Sequence, residues 1–234
     1  MLPDALDAAT LATFRTRLKH ACPLRYRYKY STSRPTRDAG VLVPFCMVDG
    51  RPSVLFTVRS ARLNTHRGEV SFPGGKRDPD DVTLVATALR ETHEEIGLAL
   101  DQVDVLGTHH PLPDKTLTIR VHPVIGCLRT PFSAEAPVSG LQFARDEVAD
   151  VFAVSLQQLA DPRCWRLARF RAGAGPVVPV WRVEGLPGIP AGTPEIWGLT
   201  AFVLDGVLRT LFNVDRLEVA DAWQRIGEAA LRVT

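Results

Sequence analysis

The chain has 234 residues, 45% apolar and 23% charged, with a net charge of +2. These are the proportions of a globular protein with one large domain and a real core, and they point to no strong electrostatic partner. No run approaches the ~18 uninterrupted apolar residues of a membrane span.

The chain opens on a helical pattern over residues 4–20, with Arg15, Arg17 and Lys19 toward its end. It lacks the apolar core of a secretory signal, and Asp4 and Asp7 in the first turns argue against a transit peptide. Cys22, Cys46, Cys127 and Cys164 are far apart and form no CxxC pair, so neither zinc nor a disulfide framework is expected. Reduced thiols fit an intracellular protein, with cytoplasm and mitochondrial matrix both open. The terminal "LRVT" matches no simple retention or peroxisomal tripeptide.

"RYRYKY" (25–30) alternates cation and tyrosine. In a strand that sets the cations on one face and the tyrosines on the other, which suits stacking on RNA bases or, the preferred reading, an edge strand with its rings packed inward. "STSRPTRDAG" (31–40) reads as a linker. Apolar runs at 40–48 and 53–60 flank Asp49-Gly50, a strong hairpin signal. Residues 72–81 read as a turn region and 82–97 as the best helix of the chain. Strands are expected at 103–110 and 118–128, a short strand leading into a helix at 148–161, a strand at 177–183 and a long helix at 194–212. On that last helix, Trp197, Phe202, Leu208 and Leu211 form an apolar face, for which core packing is preferred over a partner surface. A homodimer is left open.

On a wheel of about 100° per residue, Val82, Val85, Leu89 and Ile96 fall within roughly 60° and form a buried stripe. Glu91, Glu94 and Glu95 gather on another side with Arg90 beside them, while His93 points elsewhere. Like charges at i,i+4 repel, so Glu91 and Glu95 make a poor solvated face. A hard divalent cation resolves the repulsion: Mg²⁺ takes carboxylate oxygens and shares its shell with substrate phosphates. Arg90 can hold a carboxylate through its planar fork. Upstream, "FPGGKRD" supplies two glycines that let the backbone pass close to a metal or phosphate.

Gly75 followed by "RETHEEIGL" (90–98) resembles the Nudix box. Asp81 stands where that pattern has glutamate, one extra residue separates it from Arg90, and Thr92 fills an apolar slot. A longer run is similar to the coenzyme A pyrophosphatase branch of the family: Arg59-Ser60, Leu63, His66, Gly68-Glu69 and Phe72-Pro73-Gly74-Gly75, with "IWGLTA" (196–201) later. The resemblance implies an α/β Nudix fold, a mixed β-sheet sandwiched between α-helices. It places the hydrolase domain at residues 36–212, between an N-terminal helix and extended segment (1–35) and a C-terminal extension (213–234).

It also implies an enzyme that uses Mg²⁺ or Mn²⁺ to cleave the diphosphate of CoA or acyl-CoA, a small-molecule substrate, with no membrane partner and no expected nucleic-acid role. Glu91 and Glu95 become the first metal ligands, with Glu94 at a second metal or activating water, and the Gly75 carbonyl a further ligand. Arg90 orients the glutamates. Glu147 is the choice for a base or extra ligand from a later loop, with Asp146 second. Arg59, Arg62, His66, Arg67 and Gly74 are the expected substrate contacts. No role for Glu69 follows from its chemistry alone. Two rivals stay open: a Nudix hydrolase of another dinucleotide or capped RNA, and a non-catalytic binding module on the same scaffold.

Overall fold

The computed structural model describes residues 2–21, 30, 35–63, 65–133, 141–169 and 177–212. Helix α1 (Ala8–Lys19) starts later than the pattern predicts, because the Asp7 carboxylate accepts from Thr10 N–H at 2.8 Å and caps it. Asp4 therefore precedes the helix. Phe14 and Leu18 are buried, and the Phe14 ring lies 5.5 Å from that of Phe45 and 5.3 Å from that of Phe212.

Strands β1 (Arg37–Val48) and β2 (Arg51–Arg59) form the expected hairpin, with Asp49 at φ 46° and Gly50 at φ 72°. Positive φ at both loop residues gives the turn whose twist matches its strands. Of the expected linker at 31–40, residues 31–34 lie outside the described residues and the last four belong to β1. β1 begins at Arg37 because it pairs in parallel with β7 (Ile119–Leu128) from that residue on. The mixed sheet runs β3 (Val70–Ser71), β2, β1, β7, β5 (Val103–Thr108). β4 (Gly74–Lys76), a strand inside the expected turn region because its backbone pairs with β1, corrects that reading; β6 (Leu112–Pro113) pairs with β7 and β8 (Val148–Ser155) with β2. A capped turn of helix, α3 (Leu156–Ala160), follows β8 as expected.

Strand alternation divides the core in two. Leu42 and Cys46 meet Ala88 and Ile96 of α2 (Leu84–Ile96) on one side of the sheet. Val43 and Phe45 meet Phe14, Leu204 and Leu211 on the other, the last two from α4 (Gly198–Phe212). Burying each such side chain contributes about 1.5–3 kcal/mol. The sheet is sandwiched between helices, as the resemblance implies.

Three expectations change. α2 begins at Leu84, where Thr83 Oγ1 accepts from Ala86 N–H at 3.1 Å; Val82 lies outside it, is 86% exposed, and is no part of the buried stripe. α4 begins at Gly198, because Ile196 exchanges backbone hydrogen bonds of 2.9 and 3.0 Å with Trp181 and stays extended. A second small sheet, β9 (Trp165–Arg169) with β10 (Val177–Trp181), contains a strand the sequence did not signal. Leu208 and Leu211 are core residues, whereas Trp197 is 42% exposed. Of "RYRYKY" only Tyr30 lies within the described residues; the Arg120 guanidinium sits 5.9 Å from its ring centre. Among the described residues no helix is long and apolar enough to cross a membrane, and Cys46, Cys127 and Cys164 are free thiols.

Candidate active site

Three elements bring the site together. β4 passes Gly74 and Gly75 alongside β1, opposite Val41 and Gly40. Helix α2 crosses the same stretch of β1. A β-carbon on Gly40 would lie 2.5 Å from the Leu84 carbonyl oxygen, so only glycine lets the helix this close. The C-terminal end of α2 is fixed by Gly97, at φ 68°, whose N–H donates to His93 O at 2.8 Å. The helix consequently lays its glutamates against the Gly-Gly segment.

Glu91 sits directly over Gly75, where a β-carbon would come within 2.3 Å of its Oε2. Glu95 is not on a solvated face. It is 4% exposed, accepts a 3.0 Å hydrogen bond from Gly74 N–H, and has Arg59 Nη1 at 4.0 Å from its Oε1. Burial pushes its carboxyl up to about 7; Gly74 N–H and Arg59 oppose this, while the charges of Glu91 and Glu147 add to it. Burial also raises Glu91, against the pull of Arg90. Glu94 is turned outward, its side chain 57% exposed.

Arg90 is the hub. Its Nε and Nη2 meet the two oxygens of Asp81 at 2.9 and 3.0 Å, Nη2 meets Glu91 Oε1 at 2.9 Å, and Nη1 meets Glu94 Oε2 at 3.0 Å. Asp81 is 7% exposed and also accepts from Asp78 N–H at 2.9 Å. The Arg90 pairing holds its carboxyl well below the usual carboxylate range. The residue that departs from the box thus anchors the arginine that orients the glutamates.

The loop from Ser60 to Glu69 borders this cluster. Arg59, at the end of β2, is aimed at Glu95, and its Nε is buried with no hydrogen-bond partner among the described residues. His66 Nδ1 lies 2.7 Å from Glu69 Oε2. Arg62 instead pairs with Asp146, and Arg67 Nε donates to the Leu63 carbonyl. Those two arginines are therefore already engaged away from the glutamates. Glu147 is exposed just before β8; its carbonyl accepts from Ser60 N–H at 2.8 Å, and its charge bears on both Glu91 and Glu95. Thr200 Oγ1 donates to Val70 O at 3.0 Å and ties the "IWGLTA" segment to β3, just before the Gly-Gly strand. The His66–Glu69 pair had a visible signal, its i,i+3 spacing in a turn-rich loop. The Thr200 contact had none, because it spans 130 residues.

Among the described residues no three acids, histidines or cysteines converge as a ready-made metal cage. The chemistry of the donor set nonetheless fits a hard cation. Glu91 and Glu95 are carboxylates whose charged forms are disfavoured by burial, and the nearest cation to Glu95 is a guanidinium 4.0 Å away. A divalent ion among these oxygens would offset that cost.

A mixed sheet between helices thus lays Glu91 and Glu95 of one helix on a Gly-Gly strand, a carboxylate pair that suits a hard cation. The NUDIX domain family model matches residues 36–195, and the chain belongs to the Nudix family. It is 38% identical to the mitochondrial coenzyme A diphosphatase NUDT8 of Mus musculus over 90% of this chain and 92% of that protein. Identity to the Homo sapiens protein of the same name is also 38%, over 90% of this chain and 82% of that protein. Nudix hydrolase 3 of Caenorhabditis elegans is 42% identical over 55% of this chain and 52% of its own length. Nudix hydrolases generally need divalent metal ions.

Proposed function

We propose that this chain hydrolyses the diphosphate bond of coenzyme A or its derivatives, giving 3′,5′-ADP and (acyl-)4′-phosphopantetheine. The observation that carries the reading is Arg59, the first residue of the CoA-branch signature, lying 4.0 Å from Glu95 of the box with its Nε unpartnered. The likeness to the two coenzyme A diphosphatases supports it over most of the chain.

Glu91 and Glu95, with the Gly75 carbonyl, would hold Mg²⁺ or Mn²⁺, and Glu94 a second ion. Such ions offset the charge that builds on phosphoryl oxygens and lower the pKa of bound water. Arg90, fixed by Asp81, keeps Glu91 and Glu94 in register. Arg59, whose side chain is 27% exposed, offers its guanidinium to a diphosphate oxygen. Glu147 takes the proton of the attacking water. The new P–O bond forms on one phosphorus as the bridging P–O bond breaks, and the other phosphate leaves. Arg62, Arg67 and Asp146 take lesser parts, being engaged elsewhere, whereas His66 and Gly74 stay among the substrate contacts. We assign residues 36–212 to the hydrolase domain, flanked by extensions at 1–35 and 213–234. The two mitochondrial relatives favour a mitochondrial address over the cytoplasm.

The test is product analysis after incubation with CoA and Mg²⁺ or Mn²⁺, beside NADH, ADP-ribose and a capped RNA. Fastest release of 3′,5′-ADP supports the reading. Faster cleavage of another compound replaces the substrate, and no cleavage of any of them favours a binding module.

A further inference from the structure

The loop between β2 and β3 carries an arrangement that the box chemistry does not use. Arg59 N–H donates to Glu69 O at 3.0 Å, while Gly68 N–H donates to Arg59 O at 3.0 Å. Two residues thus face one, a β-bulge with Gly68 at φ 67° in its left-handed position. The pairings Thr57–Ser71 and Val58–Val70 lead directly into it. Cross-strand partners share a face of the sheet. Glu69 therefore projects on the face where Arg59 reaches toward Glu95, and it carries His66 with it through the 2.7 Å contact.

His66 itself is held in an uncommon state. Its φ of 56° is one of three positive values at non-glycine residues among the described residues. Such backbone persists where the surroundings over-determine it. Here Glu69 N–H donates to His66 O at 3.3 Å, closing a turn, while the Glu69 carboxylate takes the ring. An ionised carboxylate only accepts, so Nδ1 carries the hydrogen. Nε2 has no partner among the described residues, and the ring is 42% exposed. In the imidazolium, Nε2–H is then the one ring donor left for a phosphate oxygen.

We infer that Glu69 is a positioning residue: by accepting the Nδ1 hydrogen it orients the His66 ring, so that Nε2–H of the imidazolium is presented to a phosphate of the substrate beside Arg59. This rests on the diphosphatase reading above. It gives Glu69 a purpose, and it separates His66 and Arg59, aimed at the site, from Arg62 and Arg67, which are not.

The experiment is a double-mutant cycle with Glu69→Ala, His66→Ala and the pair, on CoA and dephospho-CoA. Each single variant should raise KM roughly tenfold, the loss of one charge-assisted hydrogen bond, with kcat within about twofold. The pair should do no worse than either alone, because both remove the same contact. Glu69→Gln, which still offers an oxygen to Nδ1–H, should recover most of the loss. A defect confined to CoA places the contact on the 3′-phosphate; one shared with dephospho-CoA places it on the diphosphate. Long-range ¹⁵N–¹H spectra should show the neutral His66 ring protonated at Nδ1 in the wild type and shifted toward Nε2 in Glu69→Ala. Additive effects, a loss in kcat with KM unchanged, or an unaltered tautomer would overturn the inference. Wild-type protein that spares CoA but cleaves another nucleoside diphosphate overturns the substrate reading alone, and the cycle is then read on that compound. Wild-type protein that cleaves none overturns both.

Discussion

Arg90 and Asp81 meet through two parallel hydrogen bonds of 2.9 and 3.0 Å, one residue on the helix and the other nine positions upstream in the loop before it. The remaining donors of Arg90 reach Glu91 and Glu94, so the loop carboxylate sets where the helix carboxylates sit. Asp81→Ala should leave the fold intact but free Arg90 to swing. The metal concentration for half-maximal activity should rise about 10–100-fold, the usual cost of losing an outer support of a metal site. Metal titration of the activity, with circular dichroism as the control, checks this. An unchanged titration would remove Asp81 from the site.

The two glycines of β4 should respond differently to alanine. At Gly75 the atoms nearest the added carbon are the end of the Glu91 side chain, which can move. The variant should fold normally and lose at least tenfold in kcat/KM, equivalent to about 1.4 kcal/mol at the transition state. At Gly74, φ is 147° and the added carbon would lie 2.4 Å from Gly40 O and 2.5 Å from Val41 Cα. Backbone cannot give way so easily, so Gly74→Ala should lower Tm as well as activity. Thermal melts beside kinetics separate the two.

Glu95 predicts a pH effect on the metal-free protein. Burial raises its carboxyl from an ordinary 4.5 to about 7 in the folded state, so between those values the folded chain holds more protons than the unfolded one. This contribution to stability is fully present below 4.5 and is lost as pH rises through 7. In EDTA, the wild type should melt lower at pH 8 than at pH 5 by a component missing from Glu95→Gln, which is neutral throughout. At pH 8 the variant should therefore be the more stable protein while having lost most turnover. Wild-type-like activity in Glu95→Gln would sink the metal assignment.

Arg59 should act on binding. Its side chain is 27% exposed, and its Nη1 lies 4.0 Å from Glu95 Oε1. Arg59→Ala should raise KM about 10–100-fold, the range for a hydrogen bond to a charged group. Arg59→Lys keeps the charge but lacks the fork, and should fall between the two. Equal KM values in all three proteins would show that no phosphate rests there.

Much of this was legible in the chain itself. Asp49-Gly50 specified its hairpin because few residue pairs accept two positive φ angles. The apolar runs on either side signalled its two strands, and the i,i+4 glutamates with the Gly-Gly pair pointed to metal and phosphate. All of these are local, resting on dihedral preference or on periods of two and 3.6 residues. What only the tertiary structure decided is which acids are buried and whom the cations meet. Glu95 sits in the interior because the helix crosses β1 at Gly40, and Glu94 does not. Arg62 and Arg67 read like Arg59 and His66 in sequence, yet they bond to Asp146 and to a nearby carbonyl. Such pairings are fixed by how the loops fold back on the sheet, and no local period encodes that.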